Sequence, residues 1–318
     1  MLTFRHLCRK PAAFKSVTGM TPDEFDTPYE DFLAAQARRH QAATYTKRTG
    51  MPRRRAAGAG HPHAHDHRTR LLMGLVWLRG YPTYEVLGLL FDLDKGQAWR
   101  NVQDVLAILE ALTDFPFERP AAERKKLGSV GAVMDAFPQV RLVIDGKELR
   151  VRRPEGEGRQ RPFYSGKKKA HTVKNQVAVA PDGSIQALSD SVPGGANHDL
   201  TVLRQTGLLG HLDPEADEGA MMDKGYTGIA KDYPEVALFL PHRAGRGHPL
   251  TEEQKAYNRL VARYRIVVEH TIAQLNRFGV LRQVFRSAWR RHGRVIRAVA
   301  MIVARRIRAV PLKRYAMS

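Results

Sequence analysis

Val140-Arg141-Leu142-Val143-Ile144-Asp145 is a short apolar run that ends in an acid. Aliphatic side chains at 140, 142, 143 and 144 read as a buried strand, and the run is too short for a helix. A carboxylate there is costly if buried alone, so it is exposed, paired or held on a metal. A second run of the same kind, Ala220-Met221-Met222-Asp223, ends in another acid. In α/β sheets the carboxyl ends of strands are where ligands bind. The two strand ends therefore predict one site at one edge of one sheet.

The segments around these runs complete the pattern. Residues 172–179 alternate and are rich in Val. Pro181-Asp182-Gly183-Ser184 is a hairpin signal, and residues 185–192 return as a strand. Three antiparallel strands are the simplest arrangement. Residues 197–209 read as a helix, 236–240 as a strand closed by Pro241, 251–278 as a long helix and 290–308 as a basic helix. The order β-β-β-α-β-α-β-α predicts an α/β fold, a mixed sheet with helices packed on it.

The long helix carries Glu269 beside an apolar face that includes Val268, Ile272 and Leu275. Glu269 can therefore turn toward the sheet edge and meet Asp145 and Asp223. Three carboxylates in one place repel one another and coexist at neutral pH when cations neutralise them. Hard oxygen donors fit Mg2+ or Mn2+. Two such ions, about 3.5–4 Å apart, stabilise both oxygens of an in-line phosphoryl displacement.

Bulk composition points the same way. The chain has 318 residues, with 52 Lys+Arg against 32 Asp+Glu, a formal charge of +20. Basic residues run through the whole chain, which favours a polyanion held by several elements, as DNA is. The single cysteine, Cys8, excludes an intrachain disulfide and a Cys-based zinc site. No uninterrupted apolar stretch is long enough to span a membrane. Residues 1–14 carry Arg5, Arg9 and Lys10 among their apolar residues, unlike a signal peptide. A cytoplasmic protein that works close to bacterial DNA is the expectation.

The N-terminal part reads as helical. Thr21-Pro22-Asp23-Glu24-Phe25 is a helix-start signature. Residues 38–55 are strongly basic, and a stretch with Gly58, Gly60 and the run His61-Pro62-His63-Ala64-His65-Asp66-His67 reads as an exposed connection. That histidine cluster has the composition of a metal tract, and a linker is the plainer alternative. Gly80-Tyr81-Pro82 breaks one helix and Thr83 caps the next. After a turn at residues 92–96 comes a longer helix with Trp99, Val102, Val105, Leu106 and Leu109 on one face. Short helix, turn, longer helix is the shape of a helix-turn-helix DNA reader, and equally of a small helical bundle.

Five further pieces fall in order along the chain: Leu142-Val143-Ile144-Asp145-Gly146, Tyr164-Ser165-Gly166-Lys167-Lys168-Lys169, Pro193-Gly194 with His198-Asp199, Asp223-Lys224-Gly225-Tyr226, and Arg265 three residues before Glu269 by intervening count. As an ordered set this resembles the DDE superfamily of transposases, close to the insertion-sequence-five group and to Harbinger-type nucleases. The resemblance implies a ribonuclease-H-like fold, cleavage at transposon ends, and transfer of the freed 3′-hydroxyls into target DNA. Two positions depart from the pattern. Ala262 stands where such transposases often place a Tyr, and Asn276 where they often place a Lys, with Arg277 next to it.

The expected organisation is a helical DNA-binding domain over 1–115, a linker over 116–139, a catalytic domain over 140–285 and a basic helix over 286–318. Asp145, Asp223 and Glu269 are the expected catalytic and metal-binding residues. Asp199 is the runner-up, more simply read as a helix cap or a supporting group. Asp145-Gly146 has the plainer alternative of a hairpin turn, and Glu269 that of a surface acid paired with Arg265. Lys167, Lys168, Lys169, Arg265 and Arg277 are the candidate DNA contacts, with Arg159 and Arg161 on the loop before the lysines. The expected partners are transposon ends, target DNA and further copies of the chain in a synaptic complex. Two alternatives remain: a DNA-binding protein descended from a transposase, and an endonuclease without strand transfer.

Overall fold

A computed structural model describes residues 1–42, 63–112 and 135–309. The chain divides into two compact units. The first comprises Met1–Asp114, Arg277–Val280 and Arg294–Arg305, and the second Phe115–Asn276, Leu281–Gly293 and Arg306–Ser318. His61, Pro62, most of the basic stretch after residue 42 and most of the expected linker lie outside the described residues.

In the first unit the helices are α1 (Phe4–Leu7), α2 (Pro11–Thr18), α3 (Pro22–Ala42), α4 (His67–Gly80), α5 (Tyr84–Phe91) and α6 (Lys95–Ala111). Their starts follow the sequence signals. Thr21 and Glu24 close a reciprocal cap, with Glu24 N–H donating to Thr21 Oγ1 at 3.2 Å and Thr21 N–H to Glu24 Oε2 at 2.7 Å. Asp66 and Thr83 cap α4 and α5 by accepting from the N–H three residues on, and Asp94 forms a second reciprocal cap, with Gln97, at the start of α6. Tyr81 and Asp92 stop α4 and α5 in the left-handed region. Every residue of α4 from Thr69 to Leu78 is buried, which makes it the central helix of the unit. Gly74 lets α6 approach it, since a Cβ there would lie 2.5 Å from Val105 Cγ1. Trp99, expected on the apolar face of α6, is instead 37% exposed; Ala98 and Ile108 are the buried residues beside Val102, Val105, Leu106 and Leu109. Within the histidine run, His65 Nε2 donates to the carbonyl of Phe91 at 2.7 Å, so this imidazole braces α5.

The second unit holds β1 (Val140–Arg150), a single helical turn α7 (Glu157–Gln160), β2 (Tyr164–Ser165), β3 (Ala170–Val179), β4 (Ile185–Leu188), β5 (Val192–Pro193), α8 (Asp199–Thr206), β6 (Gly219–Met221), β7 (Ala237–Phe239) and α9 (Glu252–Asn276). The final helix, α10 (His292–Ala309), contributes Arg294–Arg305 to the first unit. There Arg294 pairs with Glu110 at 2.8 Å and Arg305 with Asp31 at 2.9 Å.

The sheet has the order β2-β3-β1-β6-β7, with β4 and β5 also on β3. β1 pairs antiparallel with β3 and parallel with β6, and β7 extends the parallel side. The sheet is mixed, as expected. The turn between β3 and β4 is the predicted one, with Gly183 at φ +83 and Asp182 Oδ1 accepting from Ser184 N–H at 2.9 Å. Two expectations need correction. β1 does not end at Asp145; it continues to Arg150, because the alternation resumes with Lys147 and Leu149 buried. Between β6 and β7 the described chain makes two 3-10 turns, Lys224–Tyr226 and Ile229–Lys231, where the element order predicted a helix.

The two faces of the sheet differ. Leu142, Ile144 and Ala178 join Leu203, Leu208, Leu209 and Tyr226 in one apolar cluster on the face covered by α8. On β1 the alternate residues Asp145 and Lys147 meet Arg265 and Asn276 of α9.

Candidate active site

Asp145 lies in the middle of β1, opposite Val177 of β3. Its Oδ1 accepts from the Gly146 N–H at 2.8 Å and its Oδ2 faces Arg265 Nη2 at 3.4 Å. Val143 pairs with Met221 across the parallel β1–β6 ladder. Two residues further along each chain stand Asp145 and Asp223, and the charge of Asp223 acts on Asp145. Asp223 follows β6 in an extended conformation, caps the turn Lys224–Tyr226, and accepts from the Gly225 N–H at 2.7 Å.

Arg265 and Glu269 are one turn apart on α9. Arg265 is nearly buried, its side chain 15% exposed, whereas Glu269 is exposed. Burial raises the Asp145 carboxyl above the ordinary carboxylate range. Arg265 and the Gly146 N–H pull it back, and the charges of Asp223 and Glu269 push it up again. Two acids far away in sequence thus act on Asp145 through space, and the repulsion has the sign that a cation would relieve. Among the described residues, no group of three His, Cys, Asp or Glu side chains is close enough to form a ready-made metal centre.

Asp199 approaches from the other face. It is the first residue of α8, whose cap position is His198, so the expectation that it caps the helix is corrected. Its Oδ1 receives Lys174 Nζ at 3.0 Å, and its carbonyl accepts from Gln176 Nε2 at 2.7 Å. Gly146 makes room for it, since a Cβ there would sit 3.0 Å from Asp199 Oδ1. Gln176 Nε2 also donates to the hydroxyl of Tyr226 at 3.2 Å. Tyr226 is fully buried, and burial with Asp199, Asp145 and Asp223 raises its hydroxyl well above the usual range. It therefore sits under the acids as a neutral O–H.

The sequence reading passed over Lys174, Gln176 and Lys147, and named Tyr226 only as part of the Asp223-Lys224-Gly225-Tyr226 piece. The alternation of Lys174 and Gln176 on β3 was the signal for the first two, because it placed both polar groups on one face. Lys147 is 5% exposed, and its ammonium donates to Asn276 Oδ1 and, at 3.1 Å, to the Leu281 carbonyl. Burial, with Lys168 adding, lowers it to about 8.

Of the candidate DNA contacts, Lys167, Lys168 and Lys169 are exposed on the turn between β2 and β3, with Lys169 at φ +46. Arg159 and Arg161 are exposed on and after α7. Arg265 instead points at Asp145. Arg277 is exposed in the first unit, where its carbonyl accepts from Arg79 Nη1 at 2.5 Å. Ala262 and His270 are exposed on α9.

Pro193, Gly194 and Gly195 hold the lysine turn in place by close approach. A Cβ on Gly194 would lie 2.2 Å from Thr172 Oγ1, and one on Gly195 would lie 2.1 Å from the Tyr164 carbonyl oxygen.

Comparison with known proteins follows the same residues. A family profile described as "DDE superfamily endonuclease" matches residues 144–304. A protein of Microchaete diplosiphon, "Probable transposase for insertion sequence element IS702", is 30% identical over 225 residues, which covers 70% of this chain and 75% of that protein. No solved structure matches.

Proposed function

The chain belongs to the DDE superfamily of endonucleases, and on that premise we propose that it is a DNA transposase that cuts transposon ends and joins them to target DNA. Its second unit is assigned a ribonuclease-H-like fold with catalysis in residues 140–285. The helical part, residues 1–115, is assigned to DNA binding, with α5 and α6 as the helix-turn-helix. Further copies of the chain would complete a synaptic complex.

One observation carries this proposal: Arg265 meets Asp145 at 3.4 Å with Glu269 one turn further along α9, and the parallel β1–β6 register leads each strand to an acid, Asp145 and Asp223. The donor set is all carboxylate oxygen, which suits Mg2+ or Mn2+. Asp145 and Asp223 would hold one ion or share two, and Glu269 would complete the second site. When bound, such ions supply Lewis acidity and lower the pKa of a coordinated water or 3′-hydroxyl. The chain's own residues do the rest. Lys167, Lys168 and Lys169 would bind the phosphate backbone by charge. Asp199, anchored by Lys174, positions the turn that carries Asp223. Buried Tyr226 keeps water from the inner side of the acids.

Nicking of supercoiled plasmid in Mg2+ tests the chemistry. Asp145→Asn, Asp223→Asn and Glu269→Gln should each remove nicking while duplex binding persists. Retention of full cutting by Asp145→Asn would end the assignment. Incubation of labelled transposon ends with target plasmid tests strand transfer; cut ends without joined products would make the protein an endonuclease alone. Binding without any cutting by the wild type would make it a DNA-binding descendant.

A further inference from the structure

Arg265 is held by Asp145 in an arrangement that leaves it under-satisfied. Nη2 stands 3.4 Å from Asp145 Oδ2, longer than the roughly 2.7–2.9 Å of a strong charge-assisted hydrogen bond. Nε is buried with no hydrogen-bond partner among the described residues. A nearly buried guanidinium with one long ion pair and an unused N–H gains from a better-placed anion. The anion of this proposed reaction is a DNA phosphodiester, whose oxygens match the guanidinium fork.

The same carboxylate has a second claimant. Asp145 is a proposed metal ligand, and a divalent cation on it repels the guanidinium that now neutralises it. Cation and guanidinium therefore compete for Asp145, and Asp145 and phosphate compete for Arg265.

We infer that Arg265 couples cation and DNA capture: DNA phosphate draws the guanidinium off Asp145 and tightens cation binding, and a bound cation frees the guanidinium and tightens DNA binding. The inference rests on the metal assignment of the preceding subsection. Coupling of this kind is reciprocal by thermodynamic linkage. Its consequence is that the nuclease centre loads poorly until DNA is seated, which limits off-target cutting. Arg265 acts here as a positioning residue, since its effect runs through Asp145.

The test uses the full chain and Mn2+, with free Mn2+ read by electron paramagnetic resonance. Brief incubation on ice, with the duplex checked intact on a gel, keeps cutting out of the reading, and a duplex-only titration is subtracted. In the wild type, duplex should tighten Mn2+ binding by about fivefold or more, the low end of ordinary coupling. Arg265→Gln should bind Mn2+ about fivefold or more tightly than wild type without DNA, and should lose most of the further gain on adding duplex. Unchanged or weaker Mn2+ binding by a folded Arg265→Gln overturns the coupling. If that variant does not fold, the absence of a DNA-induced gain in the wild type overturns it instead. Asp145→Asn separates the two claims. Should it bind Mn2+ as wild type does, the metal assignment fails; should it lose Mn2+ while Arg265→Gln shows no tightening, only the coupling fails.

Discussion

Lys147 donates its ammonium hydrogen bond to Oδ1 of Asn276, tying β1 to α9 two residues beyond Asp145 and seven beyond Glu269. The pair joins the two elements that carry these acids, and it puts a cation beside Asn276. Lys147 also reaches the Leu281 carbonyl, so its buried charge is held by neutral oxygens.

That arrangement predicts non-additive mutations. Asn276→Lys sets a second ammonium against the buried Lys147 and should cost roughly 2–4 kcal/mol. Adding Lys147→Met removes the clash and should restore at least half of the loss. Urea unfolding of the two single variants and the double variant measures the interaction. Simple addition of the single effects would show that the two side chains do not interact.

The glycine pair before α8 predicts a sharp contrast. Gly195→Ala forces a Cβ to 2.1 Å from the Tyr164 carbonyl oxygen and 2.7 Å from its nitrogen. Backbone cannot yield as a side-chain tip can, so the cost should be about 2–4 kcal/mol. Displacement of β2 should also weaken duplex binding by the lysine turn. Gly166→Ala, with nothing within 4 Å, should stay within about 0.5 kcal/mol of wild type. Thermal denaturation and binding titrations decide, and equal effects at the two positions would contradict the packing described.

His292 predicts an acid-sensitive fold. It is 1% exposed, its Nδ1 lies 2.7 Å from Ser191 Oγ, and burial, with Lys147 nearby, lowers it to about 3. The unfolded chain takes up the proton near pH 6.5 and the folded chain only near 3, so stability falls as pH drops through this window. From pH 6.5 to 5 the loss from this group should be roughly 2 kcal/mol. His292→Asn should be less stable at pH 7 but should lose less on acidification. Identical pH slopes for the two proteins would remove His292 as the cause.

Asp199 and Asp145 should separate by degree. Asp199→Asn leaves Lys174, 12% exposed, without its carboxylate and should cost about 1–3 kcal/mol. Its nicking rate should fall about 10–100-fold, as expected of a supporting group. Asp145→Asn should abolish nicking. Complete loss in both, at equal folded fraction, would move Asp199 into the catalytic set.

Local chemistry was legible in the sequence wherever a signal acts over a few residues. The caps at Thr21 and Thr83, the turn around Gly183, the strands of the mixed sheet and the long helix carrying Glu269 all follow from such signals. The ordered acids and the Asp223-Lys224-Gly225-Tyr226 piece were enough to indicate the family. Boundaries and burial were less legible. Asp145 looked like a strand end because an acid closes the apolar run, yet β1 continues, since Asp145 meets Arg265 and Lys147 meets Asn276 on the helix-covered face.

What the sequence determined by itself is the periodicity of each segment, the charge that calls for a polyanion, and the three acids with their order. Tertiary structure alone decided which groups meet. The parallel register of β1 and β6 leads the two strands toward Asp145 and Asp223, the placement of α9 turns Arg265 onto Asp145, and the opposite face of the sheet receives Asp199 on Lys174. Ion pairs between residues 25 to 120 positions apart leave no periodic trace, because their partners are chosen by strand register and helix packing.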